Sequence, residues 1–331
     1  MIAPQGIISG VAERRGLGFA DNPRSLAAAP QPEHPMPTLQ PDSFAARQRQ
    51  FYGLLRAADE YRVEGHYADA EPLYRQALGL AKSAFGSDHL EVSIVLNNLA
   101  VLYKYTANFA KAEALYRQSL AITERALGPD HPDVATIYHN LGGLEHARGR
   151  FALGEPHARR SVEIRQRALG PDHVHVAEDI AALAALLDGQ GKYQESEPLY
   201  YRALATFERE YGPQHYEIAI SSNNLAALKF ARGDMDEAER LYRRALAIKQ
   251  RLLGTRHPDV AMTLNNLAVL LKSRGQYREA EPLYRRALSI FEAALGSEHP
   301  QVVTCRKNLV KLLRRMNEGT HVGAAESRKD L

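Results

Sequence analysis

A repeat of 42 residues runs through most of the chain without insertion or deletion. Histidine recurs at this step at His89, His131, His173, His215, His257 and His299. Near-identical strings, LNNLAVLYK at 96–104 and LNNLAVLLK at 264–272, lie four periods apart. Chance does not keep phase over so many periods. The chain is therefore a repeat protein, in which each unit is stabilised mainly by packing on its neighbours.

Each repeat contains the pattern of two helices. The first begins just after the histidine, where Pro132 and Pro258 suit the first helical position. Apolar residues then follow at helical spacing, and a glycine such as Gly275 suits a left-handed C-terminal cap. The second helix of the sixth repeat places one apolar face at Tyr277, Ala280, Tyr284, Ala287 and Leu288. No strand-like alternation interrupts this pattern, so an all-α fold is expected.

The small and large residues of this repeat resemble the tetratricopeptide repeat family. The matching positions are Leu267, Ala268, Gly275, Tyr277, Ala280, Tyr284 and Ala287. The 42-residue step, the HPDVA start and the LNNLA core are similar to the subclass found in kinesin light chains, whereas the ordinary unit has roughly 34 residues. The resemblance covers about residues 47–316. It implies a right-handed superhelical α-solenoid of helix-turn-helix pairs.

The register divides the chain into a solenoid, a segment before it and a tail after it. The solenoid is expected at 43–316, with a disordered Pro/Ala-rich segment at 1–42 and a flexible tail at 317–331. A capping helix is expected at 299–316, because positions that are buried in earlier repeats turn polar there. The six helix pairs are expected at 47–88, 89–130, 131–172, 173–214, 215–256 and 257–298.

Composition excludes several classes of function. Lysine and arginine number 42 against 39 aspartates and glutamates, and a net charge of +3 does not favour nucleic-acid binding. The single cysteine, Cys305, allows no intrachain disulfide and favours a cytoplasmic location. The longest apolar run, Ile180–Leu187, is much shorter than a membrane helix, so no membrane insertion is expected.

The sequence offers no convincing catalytic or metal-binding site. Stacked repeats separate equivalent positions by roughly 8–10 Å, whereas a metal–nitrogen bond is about 2 Å, so the repeated histidines cannot share one ion. Each is expected to pack or cap at the start of a helix. The pair His173 and His175 is interpreted as repeat drift rather than a metal site. Phosphate-loop, dinucleotide and metalloprotease motifs are missing from the sequence, and we predict no catalytic residue, cofactor or metal.

Polar positions within the first helices mark a predicted peptide-binding surface in the concave groove. The two asparagines of LNNLA and the positions four and seven residues further lie on one helix face. Asparagine suits the backbone of an extended peptide, and lysine or arginine suits its carboxylates. In the family that the chain resembles, equivalent residues hold short and often acidic peptides. The predicted binding residues are Asn97, Asn98, Lys104, His139, Asn140, His146, Asn223, Asn224, Asn265, Asn266, Lys272, Lys307, Asn308, Lys311 and Arg314.

The fourth repeat departs from this pattern. Ala181 and Ala182 replace its asparagines, and Glu178 and Asp188 add negative charge to the same surface. The predicted surface therefore divides into two sub-sites, one in the second and third repeats and one from the fifth repeat to the cap. A structural role is left open, in which one asparagine of each pair only hydrogen-bonds to the neighbouring helix.

These observations favour a non-catalytic scaffold or adaptor that binds an extended acidic segment of a partner protein. We expect a monomer or weak self-association. One alternative is a peptide-signal sensor, and another is a kinesin-light-chain cargo adaptor, although residues 1–46 lack the heptads that such light chains carry. An enzyme and a nucleic-acid-binding protein are lesser alternatives. Basic pairs such as Arg243 and Arg244 follow Glu239 at helical spacing, which favours a salt-bridged outer face.

Overall fold

The computed structural model describes residues 41–326, and these form thirteen α-helices without a strand. Short turns join the helices into pairs, as the repeat pattern predicted. In chain order, α1 to α13 are Pro41–Glu64, Tyr67–Phe85, Leu90–Tyr105, Phe109–Leu127, Pro132–Ala147, Phe151–Leu169, Val174–Gly189, Tyr193–Tyr211, Tyr216–Ala231, Met235–Leu253, Pro258–Ser273, Tyr277–Leu295 and Pro300–Glu326.

The described residues fall into two compact units, 41–171 and 172–326. In the N-terminal unit α1, α3 and α5 pack on α2, α4 and α6, and α2 and α4 also contact the first helix of the next pair. The C-terminal unit repeats this arrangement from α7 to α12, and α13 packs on α12 and α11. Each unit is thus a short α-solenoid with an apolar core that is continuous between neighbouring pairs.

A histidine caps the start of each first helix from α3 to α13. Nδ1 of His257 accepts a hydrogen bond from the backbone N–H of Asp259 at 3.0 Å, and His173 accepts one from His175 at 3.1 Å. The other four histidines of the series make the same bond. This confirms the predicted role at the helix start, because the cap satisfies an N–H group that the helix leaves without a partner.

Replacing His257 with alanine should lower the free energy of unfolding of the C-terminal unit by about 1 kcal/mol, the usual cost of losing an N-cap. His257→Asn should retain most of the stability, because asparagine also caps well. Urea denaturation of the full chain measures both. Equal losses in the two variants would show that the histidine acts through packing rather than capping.

The second helices bury the face that the sequence predicted. Ala280, Tyr284 and Ala287 of α12 are fully buried. The tyrosine recurs with the repeat as Tyr74 and Tyr116 in the N-terminal unit and as Tyr200, Tyr242 and Tyr284 in the C-terminal unit. The third repeat has Ala158 at this position, and it packs beside Gly142 of α5.

The last helix closes the core of the C-terminal unit. Val302, Cys305 and Leu312 of α13 are fully buried in that core, and the helix continues to Glu326, past the 299–316 expected for it. The disorder predicted for 1–42 lies outside the described residues, except that Pro41 and Asp42 begin α1. The end of the predicted flexible tail, residues 327–331, also lies outside them.

Candidate peptide-binding surface

In the N-terminal unit the predicted asparagines form a chain of hydrogen bonds across three first helices. Asn140 Nδ2 of α5 donates to Asn97 Oδ1 of α3 at 2.8 Å. Asn97 Nδ2 donates to Asn98 Oδ1 at 3.3 Å, and Asn98 Nδ2 donates to Asp59 Oδ1 of α1 at 3.4 Å. Asn97 and Asn98 are only 5% and 6% exposed. The amides therefore link neighbouring repeats.

The C-terminal unit contains a longer chain of the same kind. Asn308 Nδ2 of α13 donates to Asn265 Oδ1 of α11 at 3.0 Å, and Asn265 Nδ2 donates to Asn266 Oδ1 at 3.2 Å. Asn266 Nδ2 donates to Asn223 Oδ1 of α9 at 3.5 Å, and Asn223 Nδ2 donates to Asn224 Oδ1 at 3.4 Å. Asn223, Asn265 and Asn266 are completely buried.

Burial and mutual pairing give the asparagines a structural role. Buried polar groups require hydrogen-bond partners, and here each repeat supplies them for the next. Bonds of the kind that the structural alternative expected, from one asparagine of a pair to the neighbouring helix, are therefore present, and both Asn265 and Asn266 make one. Contact between these amides and a peptide stays a prediction.

The basic positions of the N-terminal unit are enclosed. Lys104 and His146 are each 7% exposed, and His139 is buried as well. Burial, together with the charge of Lys104, lowers the pKa of His146 to about 4, so this imidazole is neutral at pH 7. Its ring packs edge-on against Phe151 with the ring centroids 5.1 Å apart. The N-terminal sub-site therefore presents little accessible charge.

Five cations lie together at the end of the C-terminal unit, and we call them the cationic cluster. Lys307, Lys311, Arg314 and Arg315 are exposed on α13, and Lys272 is half-buried on α11. Burial and the charges of Lys311 and Arg315 lower the pKa of Lys272. Among the described residues, none of the five has a carboxylate partner. The cluster holds unneutralised positive charge on the first-helix side of the repeats.

Several arginines of the second helices are neutralised by carboxylates instead. Arg243 pairs with Glu239, and Arg285 Nη2 lies 2.8 Å from Glu281 Oε1. Glu239 also forms an ion pair with Arg274. These i, i+4 pairs confirm the salt-bridged face that the sequence favoured.

In the fourth repeat an aspartate, Asp188, occupies the repeat position at which the cationic cluster has a lysine or an arginine. Asp188 lies in the last turn of α7, where the repeat register places Lys272 of α11 and Arg314 of α13. Burial raises the pKa of Asp188 to about 7. The last turn of α7 holds no basic residue, whereas α9 and α11 have Lys229 and Lys272 there. The sequence predicted an acidic residue at this surface, and the structure shows that its carboxyl is largely buried.

Three further features of the described residues concern metal binding, the cysteine and the membrane. In residues 41–326 no set of three or more His, Cys, Asp or Glu side chains could hold a metal ion. Cys305 is buried, its Sγ donates to Tyr284 O at 3.7 Å, and burial raises its pKa to about 12. No helix in the described part of the chain is long and apolar enough to cross a lipid bilayer.

Comparison with known families identifies tetratricopeptide repeats along the two units. Six overlapping stretches match the family model, at residues 53–125, 108–153, 133–209, 177–251, 217–293 and 259–318. Comparison with curated protein sequences gives no match.

Several solved structures are similar. BtubC (BKLC) from P. vanneervenii has 29% identity and a TM-score of 0.50, covering 77% of this chain and 94% of its own. A putative kinesin light chain from Podosopora anserina with nearly identical TPR-like repeats has 24% identity and a TM-score of 0.47. The alignment covers 62% of this chain and 97% of that protein. A Rap protein complexed with Competence and Sporulation Factor shares the fold at 16% identity and a TM-score of 0.57, covering 83% and 79%. The chain belongs to the tetratricopeptide repeat family.

Proposed function

We propose that this chain is a non-catalytic scaffold that binds an extended acidic segment of a partner protein at the cationic cluster. The main support for this proposal is that the five neighbouring cations have no carboxylate partner among the described residues. Burial, together with the neighbouring charges of Lys311 and Arg315, lowers the pKa of Lys272, so the charged state of this side chain is raised in energy. A carboxylate-rich ligand would relieve this repulsion and form charge-assisted hydrogen bonds.

The position of the cluster favours a peptide over a nucleic acid. The cations lie on two first helices, α11 and α13, and the arginines of the second helices are largely paired with carboxylates. A nucleic-acid surface needs a wider field of unpaired cations to neutralise many phosphates. Tetratricopeptide repeats serve as protein-interaction modules, so a protein segment is the ligand that fits both the fold and the charge. The cytoplasmic location suggested by the single cysteine stays a prediction.

Charge reversal tests this proposal. The variant Lys307→Glu/Lys311→Glu/Arg314→Glu changes only exposed side chains, so its fold should be retained. A fluorescein-labelled aspartate-rich peptide should bind the wild-type chain and bind this variant at least about tenfold more weakly, since three lost contacts of ~0.5–1 kcal/mol add to that ratio. Fluorescence anisotropy measures the affinities, and wild-type binding should weaken as salt rises.

The matched control is Arg251→Glu/Arg256→Glu/Arg278→Glu, which reverses three exposed cations elsewhere in the same unit. It has the same net charge and should bind the peptide as the wild type does. Equal weakening in both variants would show that only the overall charge matters. Tighter binding of a single-stranded oligonucleotide of equal charge would contradict the choice of a protein partner.

A further inference from the structure

Val310 of the last helix is exposed at a repeat position that the six complete helix pairs bury. The side chain of Val310 is 42% exposed. The equivalent residues of the earlier first helices are small and buried, and they are Ala58, Ala100, Gly142, Ala184, Ala226 and Ala268. A surface that is covered in each complete pair is therefore open on α13.

Gly142 of α5 shows what covers this position in a complete pair. A β-carbon added to Gly142 would lie 3.5 Å from the carbonyl oxygen of Gly154 and 3.6 Å from the β-carbon of Ala158. Both of these residues belong to α6, which is the second helix of the same pair. The position of Val310 is therefore one on which a second helix packs.

Val303 of α13 lies at another position of this kind. Its equivalent in α3 is Ser93, whose Oγ donates to a backbone carbonyl of α4, again the second helix of the same pair, at 2.9 Å. Val303 and Val310 are seven residues apart and so share one helix face. Arg306 lies between them, and its Nη2 is 2.8 Å from Glu292 Oε1 of α12. We call Val303, Arg306 and Val310 the open face of α13.

The course of α13 leaves this face uncovered by a hairpin partner. The first helices α7, α9 and α11 each have 16 residues and end at a turn into a second helix. In contrast, α13 has 27 residues. It continues through Asn317, which occupies the repeat position of the turn residue Gly275. Within residues 41–326 the chain therefore does not fold back over the open face.

The charge beside the open face favours an acidic partner. Lys307 directly follows Arg306, and Lys311 directly follows Val310, so these members of the cationic cluster border the open face along the helix. Two copies of the chain that met through their open faces would bring like charges together, which is unfavourable. A helix with acidic residues beside its apolar face would instead meet charges of opposite sign.

We propose that the open face of α13 binds an amphipathic helix of the partner protein, in the place that a second helix takes in the six complete pairs. The apolar side of that helix packs on Val303 and Val310, and the acidic segment continuous with it meets the cationic cluster. Valine replaces a small residue at position 310, so the partner helix carries alanine or glycine opposite it, because close helix packing leaves no room for two large side chains. The inference rests on the proposed function, which supplies the acidic segment.

The test uses the full chain and two synthetic peptides. The helix peptide joins an aspartate run to the sequence of α12, Tyr277–Leu295, with its three arginines replaced by glutamine, because α12 already has a face that packs on a first helix. The control peptide has the same composition, reordered so that its apolar residues no longer share a face. The helix peptide should bind the wild type about tenfold more tightly than the control peptide and gain helical circular dichroism on binding.

Two variants of the chain locate the effect. Val310→Gln keeps the net charge and changes one exposed side chain, and it should reduce the tenfold preference to about twofold without changing the affinity for the control peptide. Leu252→Gln is the matched control, because Leu252 is 47% exposed on α10 of the same unit. This variant should keep the full preference for the helix peptide.

The outcomes separate the two proposals. If both peptides bind with equal affinity, the helix site is wrong and the proposed function stands. An undiminished preference in Val310→Gln would also contradict the helix site. Sedimentation equilibrium tests the other occupant, since a wild-type dimer that Val310→Gln dissociates would assign the open face to a second copy of the chain and overturn the inference. If neither peptide binds, both proposals are overturned.

Discussion

Asn265→Ala is expected to lower the free energy of unfolding of the C-terminal unit by about 2–4 kcal/mol. Asn265 is completely buried, accepts from Asn308 and donates to Asn266. Alanine removes both hydrogen bonds, each worth about 0.5–1.5 kcal/mol, and leaves a cavity where the amide was, which adds to the cost. Urea denaturation followed by circular dichroism measures the loss. Hydrogen exchange should show that protection falls in α11 and α13 first.

Asn224→Ala is the matched control. Asn224 lies at the end of the same chain of amides and has one bond within it, from Asn223. Its replacement should cost roughly 1 kcal/mol, the usual contribution of a single hydrogen bond. A loss below about 0.5 kcal/mol for Asn265→Ala would show that the amides contribute little to stability. A large loss would also mean that asparagine variants report on folding, so exposed cations are the proper test of binding.

Asp188→Asn is expected to stabilise the C-terminal unit by about 1–3 kcal/mol at pH 8 and to have little effect near pH 4. The folded-state pKa of Asp188 is about 7, against an ordinary value of 3.8. Between these pH values the folded chain keeps a proton that the unfolded chain has released, so stability falls as pH rises through this window. Three pKa units correspond to ~4 kcal/mol, and the buried asparagine amide offsets part of that gain.

The measurement compares urea midpoints of the wild type and the variant across this pH range. The facing groups, Tyr193, Tyr200 and Tyr242, have raised pKa values and do not titrate there. His146 does titrate, with the opposite sign, because its lowered pKa removes stability as pH falls from about 6.5 to 4. Because His146 is present in both proteins, its contribution cancels when the stability of the wild type is subtracted from that of the variant. If the variant were more stable than the wild type by the same amount at every pH, the charge of Asp188 would not be the cause of the stabilisation.

Most of the fold could be predicted from the sequence because its determinants are local. From α3 to α13 the histidine and the apolar spacing define each first helix within a few residues, and a proline after the histidine adds to this in α5, α11 and α13. The buried face of the second helices was predicted correctly for the same reason, as Tyr284 shows. The end of α13 was predicted less well, since the helix continues past residue 316, through Gly319, to Glu326.

The candidate site could be predicted only in part. Sequence spacing placed the polar residues on one helix face, but it could not distinguish a buried amide from an accessible one. Lys104 and Lys311 both occupy predicted binding positions, yet Lys104 is buried and Lys311 is exposed. Sequence reasoning did not single out Arg315 as a binding residue.

By itself, the sequence determined the repeat, its helix pairs and the faces that pack, since these follow from propensity and periodicity between near neighbours. Tertiary structure alone decided which polar groups are already satisfied. Asn308 and Asn265 are 43 residues apart when they pair, and whether a cation finds a carboxylate depends on a neighbouring helix. Hydrogen bonding and burial act through space, so the same residue types are structural at one repeat and accessible at another.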